Sequence, residues 1–485
     1  MGQITKAGAW CNGEVAYLAW EADGPIADCL GFMIARTHLT GVDAGVRRIL
    51  PTWIAFNDQS NPNWEDQDSS VWPIQSYQWR DLTLRKSRDT TNVRPIDFAV
   101  RYEITPVGLA GPGRAKVDPP ERAAYRDANN QPRYTGAPRD LFVVGPTVLT
   151  NTVEVTHAYA ADAGGPLVEA TFTNGILSTQ NLIKQLRAAA PAAAAAANTT
   201  AGLLTTLKKE IKKVESPIRA FLTGDVLAFL KRLVDRAETE GGQVHMALYE
   251  LDDPELNALL IKTAQAGRLR LILSTAASAD PNAKGTPTAL RKPVVWDVEN
   301  DGVRADLHAA AAGGSTVQDR MFNNADVIGH NKFAVYVKNG VAQSVLTGST
   351  NWTQTGLCTQ SNNAIIVHDK AVAGAYLAYW KRLEADAQPA RVPLEVQVGN
   401  KTIEGSAAND ATQGAVLRSG NSQAFGPFTL NDAATKTQLW CSPNTPSPNR
   451  NEHSPTPPDL NDVYWLMAHA KEAVFFLSFM PGESG

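Results

Sequence analysis

The sequence predicts a multidomain protein in which a β-sandwich-like N-terminal domain precedes an α/β region. Three observations support this prediction. The chain has 485 residues, enough for roughly two to four hydrophobic cores. Short strand-like runs fill the first part of the sequence, and helical and strand patterns alternate from about residue 217 onward. We therefore expect a β-rich domain followed by a layered α/β domain.

The β-rich prediction covers residues 1–170. Apolar or alternating runs at 14–19, 31–35, 99–104 and 152–159 stand between clusters of turn residues. Six of the eleven tryptophans lie in the first 80 residues, namely Trp10, Trp20, Trp53, Trp64, Trp72 and Trp79. A filled sandwich core explains them best, and a row of lipid- or sugar-stacking aromatics is the alternative. Because the segment NPNWEDQDSSVWP is polar, we expect Trp64 and Trp72 to be exposed.

The remaining sequence divides into three regions. Residues 171–216 predict a helical, alanine-rich connector, in which Pro191 interrupts the alanine run. Residues 217–390 predict an α/β domain, with a strand in which Val244, Met246 and Leu248 alternate and a helix over 254–265 that Gly267 ends. Residues 391–485 predict a connecting segment, which closes with a helix and an apolar strand that look like the opening of a further α/β half.

Composition excludes several classes of protein. A net charge of -4 and a pI near 6.1 give no overall attraction to nucleic acid or anionic membranes. The four cysteines are scattered without a C-x-x-C pair, so neither a zinc site nor a disulfide framework is indicated. No signal peptide and no apolar run of about 18 residues is visible, so we expect a cytoplasmic protein without a transmembrane segment.

One predicted hairpin carries the residues of greatest chemical interest. An Asn-Gly pair at 339–340, which favours a two-residue turn, separates the apolar runs 333–337 and 341–346. His330 and Lys332 stand two positions apart before the first run, so their side chains are expected on one face of the sheet. The hairpin would bring the end of its second arm back beside this pair.

The residues at that end complete a set suited to attack at phosphorus. They are Gly348, Ser349 and Asn351. A neutral imidazole at His330 can be a nucleophile, and the ammonium of Lys332 can neutralise phosphate oxygens. The glycine permits close backbone approach, and Ser and Asn can donate hydrogen bonds. Neither a metal nor an organic cofactor is expected for this chemistry.

This segment resembles the phospholipase D superfamily, whose motif is H-x-K, then an Asp, and then G-S-x-N. His330-Asn331-Lys332 and Gly348-Ser349-Thr350-Asn351 match the two conserved parts. The resemblance implies His330 as the nucleophile, with Lys332, Ser349 and Asn351 as catalytic phosphate ligands. It also implies that residues 217–390 form a phospholipase D-like half-domain, one of two that face one another.

The segment departs from the superfamily pattern in its carboxylates. Val337 stands five residues after Lys332, where the motif has its Asp, and the interval to G-S-x-N is longer by about four residues. Relatives often carry a Glu shortly after the second part, which orients the histidine. The counterparts here are the amides Gln360, Asn362 and Asn363, which we predict to line the substrate site with Gly348.

A second complete motif, in which H-x-K is followed by G-S-x-N, is absent from the sequence, and relatives use the second histidine as general acid. We expect either that the second motif would lie beyond Gly485, which is the preferred explanation, or that a homodimer supplies a second histidine. The predicted function is a phospholipase D-like phosphodiesterase of lipid metabolism that cleaves or transfers phospholipid headgroups through a phosphohistidine. A metal-independent nuclease is the second choice, because nucleic acid is the less favoured substrate, and a degenerate phosphate-binding or assembly module is the third.

Overall fold

The computed structural model describes residues 2–61, 67–85, 94–117, 134–174, 179–189, 199–274, 300–320, 329–389, 396–398, 401–403, 406–408, 414–430, 435–446, 453–471 and 474. These residues form two compact units that are each discontinuous in sequence. The first unit contains residues 1–159, 169–228 and 354–364, and the second contains 160–168, 229–353 and 365–485.

The N-terminal region is built of short strands. They are β1 (Ile4–Cys11), β2 (Ala16–Ala22), β3 (Cys29–His38), β4 (Arg47–Ile49), β5 (Pro51–Thr52), β6 (Gln67–Asp68), β7 (Gln78–Asp81), β8 (Phe98–Gly108), β9 (Phe142–Val143), β10 (Val148–Leu149) and β11 (Val153–Val155). Two further strands, β12 (Ala158–Asp162) and β13 (Gly165–Phe172), precede the helices α1 (Thr179–Ala189), α2 (Thr200–Glu210) and α3 (Pro217–Thr223).

Helices and strands then alternate along the chain. This region consists of α4 (Val226–Glu240), β14 (Gln243–Leu248), α5 (Pro254–Gln265), β15 (Leu269–Ser274), α6 (Asp301–Ala310), β16 (Thr316–Arg320), β17 (Lys332–Lys338), β18 (Val341–Gly348), α7 (Gln354–Cys358), β19 (Asn363–Val367) and α8 (Lys370–Asp386). The last described elements are β20 (Ala387–Pro389), β21 (Val396–Val398), β22 (Lys401–Ile403), β23 (Ser406–Ala408), α9 (Ala415–Gly420), β24 (Phe425–Leu430), β25 (Thr435–Leu439) and α10 (Pro458–Ala468).

In the first unit, two antiparallel sheets contribute to one core. One has the order β1-β2-β7, and the other has the order β10-β8-β3-β4 with β9 and β11 also paired to β8. Leu18 from the first sheet and Ile34 and Val100 from the second belong to the same buried cluster. This arrangement is consistent with the predicted β-sandwich-like domain.

The expected exposure of Trp72 is wrong. Its side chain is fully buried against Tyr134, and its indole nitrogen donates to Oε1 of Gln59 at 2.9 Å. The polar residues around Trp72 in the sequence therefore led to a wrong prediction. The indole can be buried because the amide oxygen of Gln59 accepts a hydrogen bond from its one polar atom. Trp64 lies outside the described residues.

The second unit is built on a mixed sheet with the strand order β12-β13-β19-β18-β17-β14-β15-β16. Strands β14, β15 and β16 are parallel, and β17 runs antiparallel to both β14 and β18. The parallel strands are joined by α5 and α6, as parallel neighbours require a crossover. Val335, Val345 and Trp380 lie in one buried hydrophobic cluster of this unit.

Helix α5 borders the site, and its flanking residues determine where it begins and ends. Asp253 caps its start by accepting from the backbone N–H groups of Glu255 and Leu256, both at 3.1 Å, and Pro254 takes the first helical position. Gly267 follows its end with a φ of 75°, a conformation that glycine adopts at low cost. The predicted helix over 254–265 is therefore confirmed.

The predicted hairpin is also present, with one irregularity. Asn339 and Gly340 have φ values of 52° and 78°, as a two-residue turn of the mirror-image type requires. Register shifts between Tyr336 and Val337, so that Val337 pairs with Ala342 while Tyr336 pairs with Ser344. Gln343 is thus an extra residue on the second arm, a bulge that changes which residues of the two arms oppose each other.

Near the end of the sequence, the predicted helix corresponds to α10, and the apolar strand predicted after it lies outside the described residues. Across the ranges that the structure describes, no helix is both long enough and apolar enough to span a bilayer.

Candidate active site

Three strand ends meet at one edge of the sheet in the second unit. The carboxyl ends of β14 and β18 and the amino end of β17 lie there, because β17 is antiparallel to both neighbours. Lys332 pairs with Leu248 of β14, and continuation of the β17–β18 register places Gly348 opposite Lys332. The sheet therefore gathers residues from three separate parts of the sequence at this edge.

His330 precedes β17 and is exposed to solvent. Its ring contacts the ring of Tyr249 edge-on, with centroids 4.8 Å apart. Partial desolvation, and then the charge of Lys332, lower the pKa of His330 below its ordinary value. Both effects disfavour the imidazolium, so the imidazole is neutral at pH 7 and keeps the lone pair that a nucleophile needs.

Lys332 is half-buried, and its ammonium lies 5.6 Å from the centre of the Tyr249 ring. The ammonium also donates to the backbone oxygen of His330 at 3.3 Å. Burial lowers the pKa of Lys332 to about 8, and the carboxylate of Glu250 acts in the opposite direction. Lys332 therefore carries most of its positive charge at neutral pH and loses it in mildly alkaline solution.

Glu250 was not among the residues that the sequence analysis selected. It follows β14 directly, and its Oε2 accepts a hydrogen bond from Nδ2 of Asn351 at 2.6 Å. The available signal was its position immediately after a predicted strand, two residues beyond Leu248. The pairing of β14 with β17, which brings that position near Lys332, could not be read from the sequence.

The loop after β18 is fixed by backbone contacts. The oxygen of Trp352 accepts from the N–H groups of Asp252 and Asp253, each at 3.2 Å, so this loop is joined to the loop after β14. Gly348, at the end of β18, has a φ of 147°, which a residue with a side chain rarely adopts. Ser349 is exposed, and Asn351 is half-buried beside Glu250.

The three amides predicted to line the site belong to the first unit. Asn362 donates from Nδ2 to the oxygen of Gly356 at 2.8 Å and to Oε1 of Gln360 at 3.0 Å. Its backbone also exchanges hydrogen bonds with Thr173, through Oγ1 at 2.9 Å and the N–H at 2.8 Å. These hydrogen bonds give Asn362 a structural role in holding the segments at Thr173, Gly356 and Gln360. Substrate binding by Gln360, Asn362 and Asn363 stays a prediction.

The groups at the sheet edge have complementary chemistry. A neutral imidazole can attack an electrophilic phosphorus, and a neighbouring ammonium can stabilise the charge on non-bridging oxygens. An amide held by a carboxylate adds a donor of fixed orientation. The arrangement is therefore suited to bind a phosphoryl group and to form a bond to it.

A separate group in the first unit has the composition of a metal site. Donor atoms of Glu14, His157 and Asp225 lie within 4.8 Å of one another. The guanidinium of Arg85 pairs with both Glu14 and Asp225, the latter at 2.6 Å, and His157 Nε2 lies 3.1 Å from Asp225. Arg85 already supplies the positive charge that a cation would bring, so this group fits an ion-pair network better than a metal centre.

Comparison with known proteins agrees with the chemistry of the sheet edge. Residues 230–384 match the family described as "Cardiolipin synthase, PLD-like domain". This region contains His330, Lys332, Gly348, Ser349 and Asn351. No curated protein matches the sequence.

Solved structures with local similarity include the phospholipase D family member Nuc from Salmonella typhimurium. It is 16% identical, the match covers 33% of this chain and 86% of that one, and the TM-score is 0.23. NucT from Helicobacter pylori is 12% identical over 33% of this chain and 90% of that one, with a TM-score of 0.23. Phosphatidylserine synthase from Haemophilus influenzae is 11% identical over 30% and 32%, also with a TM-score of 0.23. Scores this low support no conclusion about activity.

The family match and the two motif parts within it give the same assignment. Residues 230–384 are therefore assigned to the phospholipase D superfamily.

Proposed function

We propose that the chain is a phosphodiesterase that cleaves or transfers phospholipid headgroups through a phosphohistidine at His330. The observation that carries the proposal is the pairing of a neutral imidazole with a charged ammonium at one sheet edge. The pKa of His330 is lowered by desolvation and by Lys332, while Lys332 retains its charge at neutral pH. A nucleophile and a phosphate-binding cation are thus both in their active protonation states at pH 7.

The proposed reaction has two displacements. In the first, a ring nitrogen of His330 forms a bond to phosphorus, the bond to the leaving alcohol breaks, and that alcohol takes up a proton. In the second, water or another alcohol attacks phosphorus, loses its proton, and releases His330 with its lone pair restored. Lys332, Ser349 and Asn351 bind the non-bridging oxygens, where negative charge increases in each transition state.

The leaving alcohol needs a proton donor. The sequence has no second H-x-K followed by G-S-x-N to provide one, so pairing of two chains is one way to obtain a second histidine. In that case the rate per chain would increase with protein concentration.

A lipid substrate is preferred to nucleic acid because of the overall charge. A protein with a net charge of -4 has no general attraction to a polyanion. The net negative charge of the protein weakens binding of a single phosphodiester much less, because alkyl chains or neutral groups of the substrate contribute to binding. Nuclease activity is therefore the alternative that the experiment must separate.

A second candidate function is phosphate binding without turnover. The specific observation in its favour is Val337, a buried core residue at the position where the superfamily motif has its Asp. Loss of that carboxylate, with amides at 360, 362 and 363, would be expected in a degenerate site.

The test compares wild type with His330→Ala on three substrates. These are fluorescent phosphatidylcholine in mixed micelles, bis(p-nitrophenyl) phosphate and single-stranded DNA. We expect turnover of the lipid by wild type, none by His330→Ala, and unchanged rates for His469→Ala, an exposed histidine elsewhere in the second unit. Quenching in denaturant at alkaline pH, where the bond between phosphorus and the ring nitrogen is stable, followed by mass spectrometry, should find the phosphatidyl group on His330.

Other results would change the assignment. Faster cleavage of DNA than of phospholipid would show that the protein is a nuclease and would overturn the proposed phospholipid substrate. Absence of turnover on all three substrates, with phosphate binding that His330→Ala and Lys332→Ala abolish, would favour the degenerate module.

A further inference from the structure

Glu250 joins two site residues that lie on different strands. It follows β14, while Lys332 begins β17 and Asn351 follows β18. It accepts a 2.6 Å hydrogen bond from Asn351 and is the carboxylate that acts on the pKa of Lys332. Loss of one side chain would therefore affect two phosphate-binding groups together.

The contact with Asn351 fixes the orientation of its amide. If the amide were rotated by half a turn, its oxygen would face the carboxylate of Glu250, and two acceptors would be opposed. In the observed orientation, Oδ1 of Asn351 is buried and has no hydrogen-bond partner among the described residues. One hydrogen of Nδ2 is bound to Glu250, so the second hydrogen remains to donate to an oxygen of a bound phosphodiester.

The effect on Lys332 is electrostatic. Its burial disfavours the ammonium, and the negative charge of Glu250 favours it. The titratable side chains that face Lys332 in the described part of the second unit are Glu250, His330 and Tyr249. Of these three, the ionised carboxylate is the group that stabilises a positive charge at neutral pH.

Resting on the function proposed above, we propose that Glu250 is a positioning residue for two phosphate-binding groups of the site. It keeps Lys332 charged and holds the amide of Asn351 in one orientation. A carboxylate just after β14 can do this because β14 and β17 are paired with Lys332 opposite Leu248.

Two variants separate the two roles. Glu250→Gln keeps an oxygen that can accept from Asn351 but removes the charge, whereas Glu250→Ala removes both. Glu238→Gln is the matched control, because Glu238 forms an exposed ion pair with Lys262 on the helices α4 and α5. Thermal unfolding of each variant shows whether the fold is retained.

The first measurement does not require activity. Competitive acylation of lysines across pH, read by mass spectrometry, gives the titration of Lys332 in each protein. We expect Glu250→Gln to move this titration to lower pH by about half a unit or more, since an opposite charge at close range is lost. The control should leave it unchanged, and an unchanged titration in a folded Glu250→Gln variant would overturn the electrostatic role.

The second measurement is kcat/KM on the substrate that wild type prefers. Glu250→Gln should move the alkaline limit of the profile to lower pH, and Glu250→Ala should reduce kcat/KM by up to about 100-fold at its optimum. Equal activity of Glu250→Ala and wild type would reject the positioning role. If wild type shows no turnover while the Lys332 titration shifts as expected, the proposed function fails and the electrostatic role of Glu250 stands.

Discussion

Lys332 lies opposite Leu248 in the antiparallel pair of β14 and β17. Through this one register, Tyr249 and Glu250, which follow Leu248, come beside His330 and Lys332. A shift of β14 by one residue would place Met246 and Leu248 on the face where the smaller Ala247 now packs, so the packing of both faces maintains the register of the site. The hydrophobic core of the sheet thus fixes the positions of charged groups at its edge.

The rate of phosphodiester cleavage should have a bell-shaped dependence on pH. Its acid limb reports the neutral form of His330, whose pKa is lowered by desolvation and by Lys332, so activity should persist to a lower pH than an ordinary histidine would allow. Its alkaline limb reports loss of charge from Lys332, whose pKa is about 8. The measurement is kcat/KM from pH 4 to pH 10.

Lys332→Arg provides the control for the alkaline limb. A guanidinium stays charged throughout this range, so the fall near pH 8 should disappear even though the changed geometry lowers the rate. An alkaline limb that persists unchanged in this variant would show that another group controls it.

The sequence predicts local features of this protein well. The turn at Asn339-Gly340, the helix over 254–265 and the strand containing Val244, Met246 and Leu248 depend on residues close together in the chain. Turn conformation, capping and burial periodicity act over a few residues, and so they can be read without knowledge of the fold.

Non-local pairing could not be predicted in the same way. Strands β12 and β13 join the sheet of the α/β region, and Leu167 and Val168 pack against its core. Their sequence gives no sign of a partner almost 200 residues away. Glu250 was missed for the same reason, since its contacts depend on the register of β14 with β17.

Substitution of Asp319 should destabilise the second unit strongly. Asp319 and Arg304 form an ion pair with side-chain exposures of 2% and 0%, and Asp319 Oδ2 lies 2.8 Å from Nε2 of His308. Asp319→Asn leaves the buried guanidinium without its counter-charge, which should reduce the free energy of unfolding by about 3–5 kcal/mol at pH 7. Urea denaturation gives this value, and Asp306→Asn, an exposed position on the same helix as Arg304, should change it by about 0.5 kcal/mol at most.

The same ion pair predicts a dependence of stability on pH. Burial raises the pKa of Asp319, but Arg304 and His308 outweigh it, so the pKa lies below its ordinary value. The resulting stabilisation is fully present above the unfolded-state pKa of about 3.9 and is lost as pH falls through the lower folded-state pKa. The difference between wild type and Asp319→Asn should therefore shrink below pH 4. A difference that is constant down to pH 2 would refute this account.

Two glycine substitutions should have opposite effects on stability. Gly340 has a φ of 78° in the hairpin turn, so Gly340→Ala should cost about 1–2 kcal/mol. Gly374 lies within α8, where an added Cβ meets nothing within 4 Å, so Gly374→Ala should stabilise by about 0.5–1 kcal/mol. Paired urea denaturation curves test both, and the same sign for the two variants would contradict the prediction.

Removal of the Trp380 side chain should weaken the support of β14. Trp380 is 1% exposed, its indole nitrogen donates to the oxygen of Met246 at 2.8 Å, and its ring meets that of His245 edge-on at 4.7 Å. Trp380→Ala leaves a cavity and removes a hydrogen bond to the strand that precedes Glu250. We expect a loss of about 3–5 kcal/mol in the free energy of unfolding.

The matched control is Trp465→Ala, at a tryptophan that is 60% exposed, where a change of about 0.5 kcal/mol or less is expected. The loss at Trp380 should also increase the hydrogen-exchange rates of the β14 amides relative to those of β16, because β14 carries the carbonyl that Trp380 binds and β16 does not. Equal exchange in the two strands would show that Trp380 stabilises the sheet as a whole and not this strand in particular.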